Sequence, residues 1–267
     1  MIIGFIGNGN MGRAIISGII DNKVADADEI IVSDIDIEGL EWVKSKYGVD
    51  TSADNKITAK TADILFLCVK PQFLYGVIEE IKGSVRKNTV IVSIAAGQSI
   101  KAIENAFGKE IKLVRVMPNT PALVGEGMSA LTPNENVNDN ELETIFEVFN
   151  SFGRGERVNE NLMDAVTAVS GSSPAYVFMM IEAMADAAVI GGMPRDKAYT
   201  FAAQAVLGSA KMVLETRLNP GKLKDMVCSP SGTTIDAVAE LERTGFRSSI
   251  IDAMIACMEK SRKLGEN

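Results

Sequence analysis

The loop Gly7-Asn8-Gly9-Asn10-Met11-Gly12 spaces its glycines as G-x-G-x-x-G. That spacing suits the pyrophosphate of a dinucleotide. Gly7 permits a tight turn, Gly9 has no side chain to block the phosphates, and Gly12 lets a helix pack close to its strand. Asp34 follows the last glycine by about 20 residues, where an acid accepts both ribose hydroxyls and repels a 2′-phosphate. Asp36 competes for that role. The first cation after Asp34 is Lys44, so the usual clamp for a phosphorylated ribose is missing, and NADH is expected ahead of NADPH. A second anion site is expected at Ser229-Pro230-Ser231-Gly232-Thr233-Thr234. This run leads straight into a helical stretch, leaving the amides of Gly232, Thr233 and Thr234 unpaired at a positive helix end suited to a substrate carboxylate. The plainer alternatives are a turn aspartate at Asp34 and an ordinary Ser/Thr-capped helix start at Ser229 to Thr234.

The chain has no histidine. Ser-His-Asp and Cys-His catalytic pairs are therefore excluded, as is the His-carboxylate pair by which many dehydrogenases handle a carbonyl proton. Hydride chemistry without imidazole favours a substrate already activated, such as a protonated imine. Other candidate residues sit at the ends of apolar runs. Val69 and Lys70 close the run at Ile64, Ala95, Ala96 and Gly97 close the one at Val90, and Asn119 stands in Met117-Pro118-Asn119-Thr120-Pro121. In an open parallel sheet the carboxyl ends of strands line the ligand crevice, so these positions are expected to face the cofactor, with a surface lysine as the plainer reading of Lys70 and mere loop rigidity as that of Asn119.

The elements that position these groups follow from periodicity. Apolar runs at Ile2, Ile30, Ile64, Val90 and Leu113 alternate with segments of helical period, which predicts a Rossmann-type, doubly wound, mostly parallel α/β sheet. A strand near Met128 and a helix from Asp139 to Phe152 complete a dinucleotide-binding domain over residues 1–160. From 161 to 267 no strand run appears. Helices are expected at Asn161 to Val169, Pro174 to Ile190, Pro194 to Glu215, Pro220 to Val227, Thr233 to Arg243 and Phe246 to Leu264. These helices are apolar on more faces than so small a domain can bury, which predicts subunit contacts through this all-helical half. None is expected to cross a membrane, since the most apolar one carries Glu182 and Asp186.

A net charge of -8 argues against a nucleic-acid or polybasic membrane surface, so the partners expected are small molecules and further copies of the chain. Cys68, Cys228 and Cys257 have neither disulfide-framework nor zinc spacing, and no metal is expected. The fingerprint begins at residue 2 and leaves no room for a cleaved leader, which points to the cytoplasm.

Taken together, the fingerprint, Asn55, VKPQ at Val69, AAG at Ala95, MPNTP at Met117, SGSSPAY at Ser170 and SPSGTTI at Ser229 resemble the pyrroline-5-carboxylate reductase family in order and spacing. The resemblance runs from Ile2 to about Leu264. It implies an N-terminal Rossmann domain for NAD(P)H and a helical C-terminal domain that interlocks with a second subunit, with higher oligomers such as decamers frequent. It implies hydride transfer to the cyclic imine 1-pyrroline-5-carboxylate, giving L-proline. Asn55 then falls on the adenosine side, Val69 and Lys70 beside ribose and phosphates, and Ala95 to Gly97 near the nicotinamide. Ser229, Gly232, Thr233 and Thr234 fall on the substrate, with Thr234 near the ring nitrogen. The chain departs from the resemblance twice: Asp34-Ile35 replaces an Asn-Arg pair, and Ser231-Gly232 replaces Gly-Gly. Rival readings keep the dinucleotide but change the rest. One is a reductase of another imine, one a deazaflavin-dependent NAD(P) oxidoreductase, and one a dimeric dinucleotide sensor without turnover.

Overall fold

Four buried residues, Ile3–Ile6, form β1 and enter the fingerprint directly. The chain is described here from a computed structural model, over residues 1–265. In chain order it runs β1, α1 (Asn10–Asp21), β2 (Ile30–Ser33), α2 (Ile37–Tyr47), β3 (Asp50–Ser52), α3 (Asn55–Thr61), β4 (Ile64–Leu67), α4 (Pro71–Ile81), β5 (Val90–Ser93) and α5 (Ile100–Phe107). There follow β6 (Lys112–Met117), β7 (Gly127–Pro133), α6 (Asp139–Asn150), β8 (Gly153–Arg157) and α7 (Met163–Val166). The helices α8 (Ser173–Ile190), α9 (Arg195–Thr216), α10 (Pro220–Val227), α11 (Thr233–Arg243) and α12 (Phe246–Gly265) complete it.

The sheet order is β3-β2-β1-β4-β5-β6-β7-β8, parallel throughout except for the β6–β7 pair. Central strands covered on both faces read as unbroken apolar runs, as IGFI, ILFL and VIVS do. Phe5 and Phe66 stack across β1 and β4 with ring centroids 4.7 Å apart, both fully buried. Each contributes about 1.5–3 kcal/mol relative to exposure. The order reverses between β1 and β4, which makes that junction the topological switch point where ligands bind.

Two strands were not expected. β3 and β8 are the edge strands, DTS and GRGER, without an apolar alternation to mark them. The helix expected at Asn161 to Val169 is instead a short 3₁₀ turn, the brief α7, and a π turn over Thr167–Gly171. Thr167 and Ser170 turn their hydroxyls back on the carbonyls of Met163 and Val166, at 2.8 and 3.0 Å, in competition with regular helical bonding.

The chain divides into two compact units, Met1–Ser172 with Cys257 and the α12 residues after it, and Ser173–Ala256. The division falls after the break expected at residue 160. Glu160 binds the Ile100 N–H and Arg115, and Asn119 binds the Ser170 carbonyl, so this stretch stays with the sheet. The second unit is wholly helical, as expected. By length and hydropathy the run Glu160–Ile190 does meet the measure of a bilayer-crossing helix, despite Glu182 and Asp186.

Candidate functional site

Strand register brings three chain segments level. Ile6 pairs with both Ser33 and Leu67, so Gly7, Asp34 and Cys68, one residue further on, stand side by side at the switch point. The Gly7 N–H donates to the Ser33 carbonyl and the Cys68 N–H to the Ile6 carbonyl, each at 2.8 Å. Gly7 has φ +103°, and a side chain there would begin 2.7 Å from the Cys68 carbonyl oxygen. At Gly9 a side chain would meet no atom within 4 Å, which leaves open space beside the loop. A side chain at Gly12 would begin 2.7 Å from the Gly7 carbonyl oxygen, so the close helix packing expected of it is real. Gly9 caps α1 without a side chain, leaving the amides of Asn10, Met11 and Gly12 to the helix's positive end. This cradle fits a pyrophosphate.

Asp34 holds the adjoining corner. Its Oδ2 accepts from the Asn8 N–H at 2.5 Å and its Oδ1 from the Asp36 N–H at 2.9 Å, so the carboxylate bridges the loops after β1 and β2. Each oxygen keeps a lone pair for a ribose hydroxyl. The turn role weighed for Asp34 is present in its bond to the Asp36 N–H, and the helix cap is Asp36, which accepts from the Gly39 N–H at 3.1 Å. Asn55, at the start of α3, is fixed from two sides: Ser33 donates to its Oδ1 and its Nδ2 donates to Glu80, both at 2.9 Å.

Gly7, Gly9, Asp34, Asn55, Val69 and Lys70 line one cavity of about 490 Å³. The remaining wall was missed in the sequence. Gln72, Phe73, Gly76, Val77 and Glu80 of α4 supply most of it, with Phe73 58% exposed. The i, i+4 spacing of Phe73 and Val77, on the flank of the stripe formed by the buried Leu74, Ile78 and Ile81, is the signal that the apolar face of α4 extends beyond the core. Cys68 also reaches the cavity, and burial pushes its thiol pKa well up, so it stays neutral. Ala95, Ala96 and Gly97 follow β5, whose Ser93 pairs with Leu67 of β4.

Two residues expected at the cofactor also carry bonds within the framework. Asn8 is buried, its N–H taken by Asp34 and its Nδ2 donated to the Gly39 carbonyl at 2.6 Å. Asn119 is buried as well. Its Nδ2 donates to the Ser170 carbonyl at 3.0 Å and its Oδ1 accepts from the Met128 N–H at 2.8 Å, which spends the amide on tying three backbone segments together.

Ser229 to Thr234 lie in the second unit and open α11, which starts at Thr233 with Gly232 as an N-cap lacking any side-chain cap. The amides of Thr233 and Thr234 are thus at a free helix end, as expected. The Gly232 amide is not: it donates to the Ser229 carbonyl at 3.1 Å and closes a tight turn. Ser231, in that turn, has φ +57°.

Residues 160–264 match the model of the pyrroline-5-carboxylate reductase dimerisation region, and residues 2–97 that of the coenzyme F420-dependent NADP oxidoreductases. The chain is 50% identical to the pyrroline-5-carboxylate reductase of Escherichia coli (strain K12) over 265 residues, covering 99% of this chain and 98% of that one. It belongs to the pyrroline-5-carboxylate reductase family. Among solved reductases of this name, that of Coxiella burnetii is similar with a TM-score of 0.93 and 36% identity, covering 99% and 98% of the two chains. The Plasmodium falciparum enzyme, solved with NADP bound, gives 0.90 and 33% over the same shares. The match to the dimerisation region begins at residue 160, whereas the second compact unit begins at Ser173.

Proposed function

We propose that the protein reduces 1-pyrroline-5-carboxylate to L-proline with a reduced nicotinamide dinucleotide. The observation that carries this is the full-length, 50% identical match to a reductase of that name. The amides at the start of α1 take the pyrophosphate, Asp34 the adenosine ribose, and Asn55, Val69 and Lys70 the walls around it. Ala95, Ala96 and Gly97 form the bed of the nicotinamide, which supplies a hydride when reduced. The substrate carboxylate goes to the amides and hydroxyls of Thr233 and Thr234, with Ser229 and Gly232 shaping the turn. Thr234 orients the ring nitrogen. A protonated imine brings its own positive charge, so the protein has mainly to orient and desolvate, which agrees with a chain that has no histidine. The functional protein is a homodimer or a higher oligomer built through the helical half, working in the cytoplasm, where thiols such as Cys68, Cys228 and Cys257 stay reduced.

NADH is the preferred coenzyme on this reading. The charge of Asp34 opposes a 2′-phosphate, and no Arg or Lys follows it before Lys44. The test is a steady-state assay of the pure protein with 1-pyrroline-5-carboxylate, first with NADH and then with NADPH, followed by coenzyme absorbance. The expected outcome is turnover with both and a higher kcat/KM with NADH. Binding of either coenzyme without oxidation would sink the reductase reading in favour of a sensor. The reverse ranking would sink the role given to Asp34.

A further inference from the structure

The loop Ala95 to Gly97 is held from two sides. Just beyond it, the Glu160 carboxylate accepts from the Ile100 N–H at 2.7 Å and pairs with Arg115 at 2.8 Å, which pins the start of α5 to β6. On its other side the last turn of α12 lies directly against Gly97. The Leu264 Cβ stands 3.4 Å, and its carbonyl oxygen 3.7 Å, from where a Gly97 side chain would begin. A side chain at Gly265 would in turn begin 2.9 Å from the Gly97 carbonyl oxygen. The two backbones touch because both residues are glycine, and Gly97 has φ +75°, a conformation that favours glycine.

That last turn is itself fastened. Ser261, only 8% exposed, donates its hydroxyl to Asp164 Oδ1 at 2.6 Å. The other oxygen of Asp164 lies 3.4 Å from Arg262 Nε. One turn earlier the Cys257 thiol donates to the Ser172 hydroxyl at 3.3 Å. Asp164 thus spends both carboxylate oxygens on α12, and neither it nor α12 contributes to the lining of the adenosine-side cavity.

We propose that Asp164 is a positioning residue: by latching the last turn of α12 through Ser261 and Arg262, it fixes the backbone of Gly97 and so the bed of the nicotinamide ring. This rests on the reading of Ala95 to Gly97 as the nicotinamide loop. Loosening the latch leaves the adenosine end undisturbed and lets the reducing end wander. Small displacements at a reacting centre cost rate steeply.

The experiment compares NADH with ADP-ribose, which lacks the nicotinamide, by titration calorimetry, alongside kcat and thermal melting. The variants are Asp164→Asn, Ser261→Ala and Gly265→Val. The expected result is a loss of about 3- to 10-fold in both NADH affinity and kcat, with ADP-ribose affinity within about two-fold of wild type. Ser261→Thr, which keeps the hydroxyl, stays near wild type. Equal losses for NADH and ADP-ribose would make the latch merely structural, and no loss for either would dismiss it. Should Asp164→Asn fail to fold, Gly265→Val presses on Gly97 from the other partner and reads the same contact. Gly97→Ala separates the two readings. If it leaves NADH affinity and kcat intact, the assignment of the loop falls; if it impairs them while the latch variants do not, only the latch falls.

Discussion

Asp34 illustrates how one side chain serves structure and selectivity together. Its oxygens accept the Asn8 and Asp36 amides, which shapes the pocket, while on the proposed reading its charge also selects the coenzyme. In Asp34→Asn the amide group can accept from only one of those N–H groups, because its nitrogen is a donor facing a donor. The variant should lose about 1–2 kcal/mol of stability through the unpaired amide. Removing the charge should also raise the ratio of NADPH to NADH kcat/KM by about 10-fold. Melting curves and paired assays measure both effects. An unchanged coenzyme ratio would assign Asp34 to structure alone. The place of Asp34 on the cavity wall is legible in the sequence because it ends the strand beside the glycine loop. The sequence could not show how Asn8 and Asn119 are bonded, because an asparagine bound to backbone reads the same in a string of letters as one facing a nucleotide. Only the fold brings Gly39, Met128 and Ser170 to them.

At the scale of elements, legibility follows burial. The central strands announce themselves because both faces are covered, whereas β3 and β8 lie at the edges and are defined by their neighbours. At β8, Gly153 approaches so closely that a side chain would begin 2.0 Å from the Gly127 carbonyl oxygen, a constraint invisible until the pairing is known. The turn before α11 is a second case, in which Ser231 stands where the resemblance has glycine. Its strain emerges only in the structure: Ser231 adopts φ +57°, which costs a non-glycine residue roughly 1–2 kcal/mol. Ser231→Gly relieves that strain but adds freedom to the unfolded chain. The net expectation is a gain of up to about 1 kcal/mol, with kcat/KM retained within about two-fold. Ser231→Val, β-branched in the same conformation, should instead destabilise the protein and raise KM for the imine. Chemical denaturation with steady-state kinetics checks the pair, and a neutral Ser231→Val would show that the turn is slack.

For the whole molecule, the second unit poses a question of solvent. Phe178, Met179, Ile190 and Phe201 are 62%, 69%, 88% and 67% exposed in the single chain, and they lie on α8 and α9, the core of the matched dimerisation region. Apolar exposure on this scale requires a cover. A bilayer would have to accept Glu182 and Asp186, at a cost of about 2.5–3.5 kcal/mol for an acid at the helix centre. A second copy of the same apolar helices demands no such burial, and Asp186 is already paired with Arg195. Sedimentation velocity should therefore give a dimer or a multiple of it, without detergent. A double variant, Phe178→Glu with Phe201→Glu, should dissociate to monomers. The first unit carries its own sheet core and dinucleotide cavity, so ADP-ribose binding should survive dissociation within about three-fold, while reduction of the imine falls by an order of magnitude or more. Loss of both together would mean that the sheet domain depends on the partner for its fold. Full turnover by the monomer would mean that one chain completes the reaction, and that the apolar surface of α8 and α9 serves stability alone.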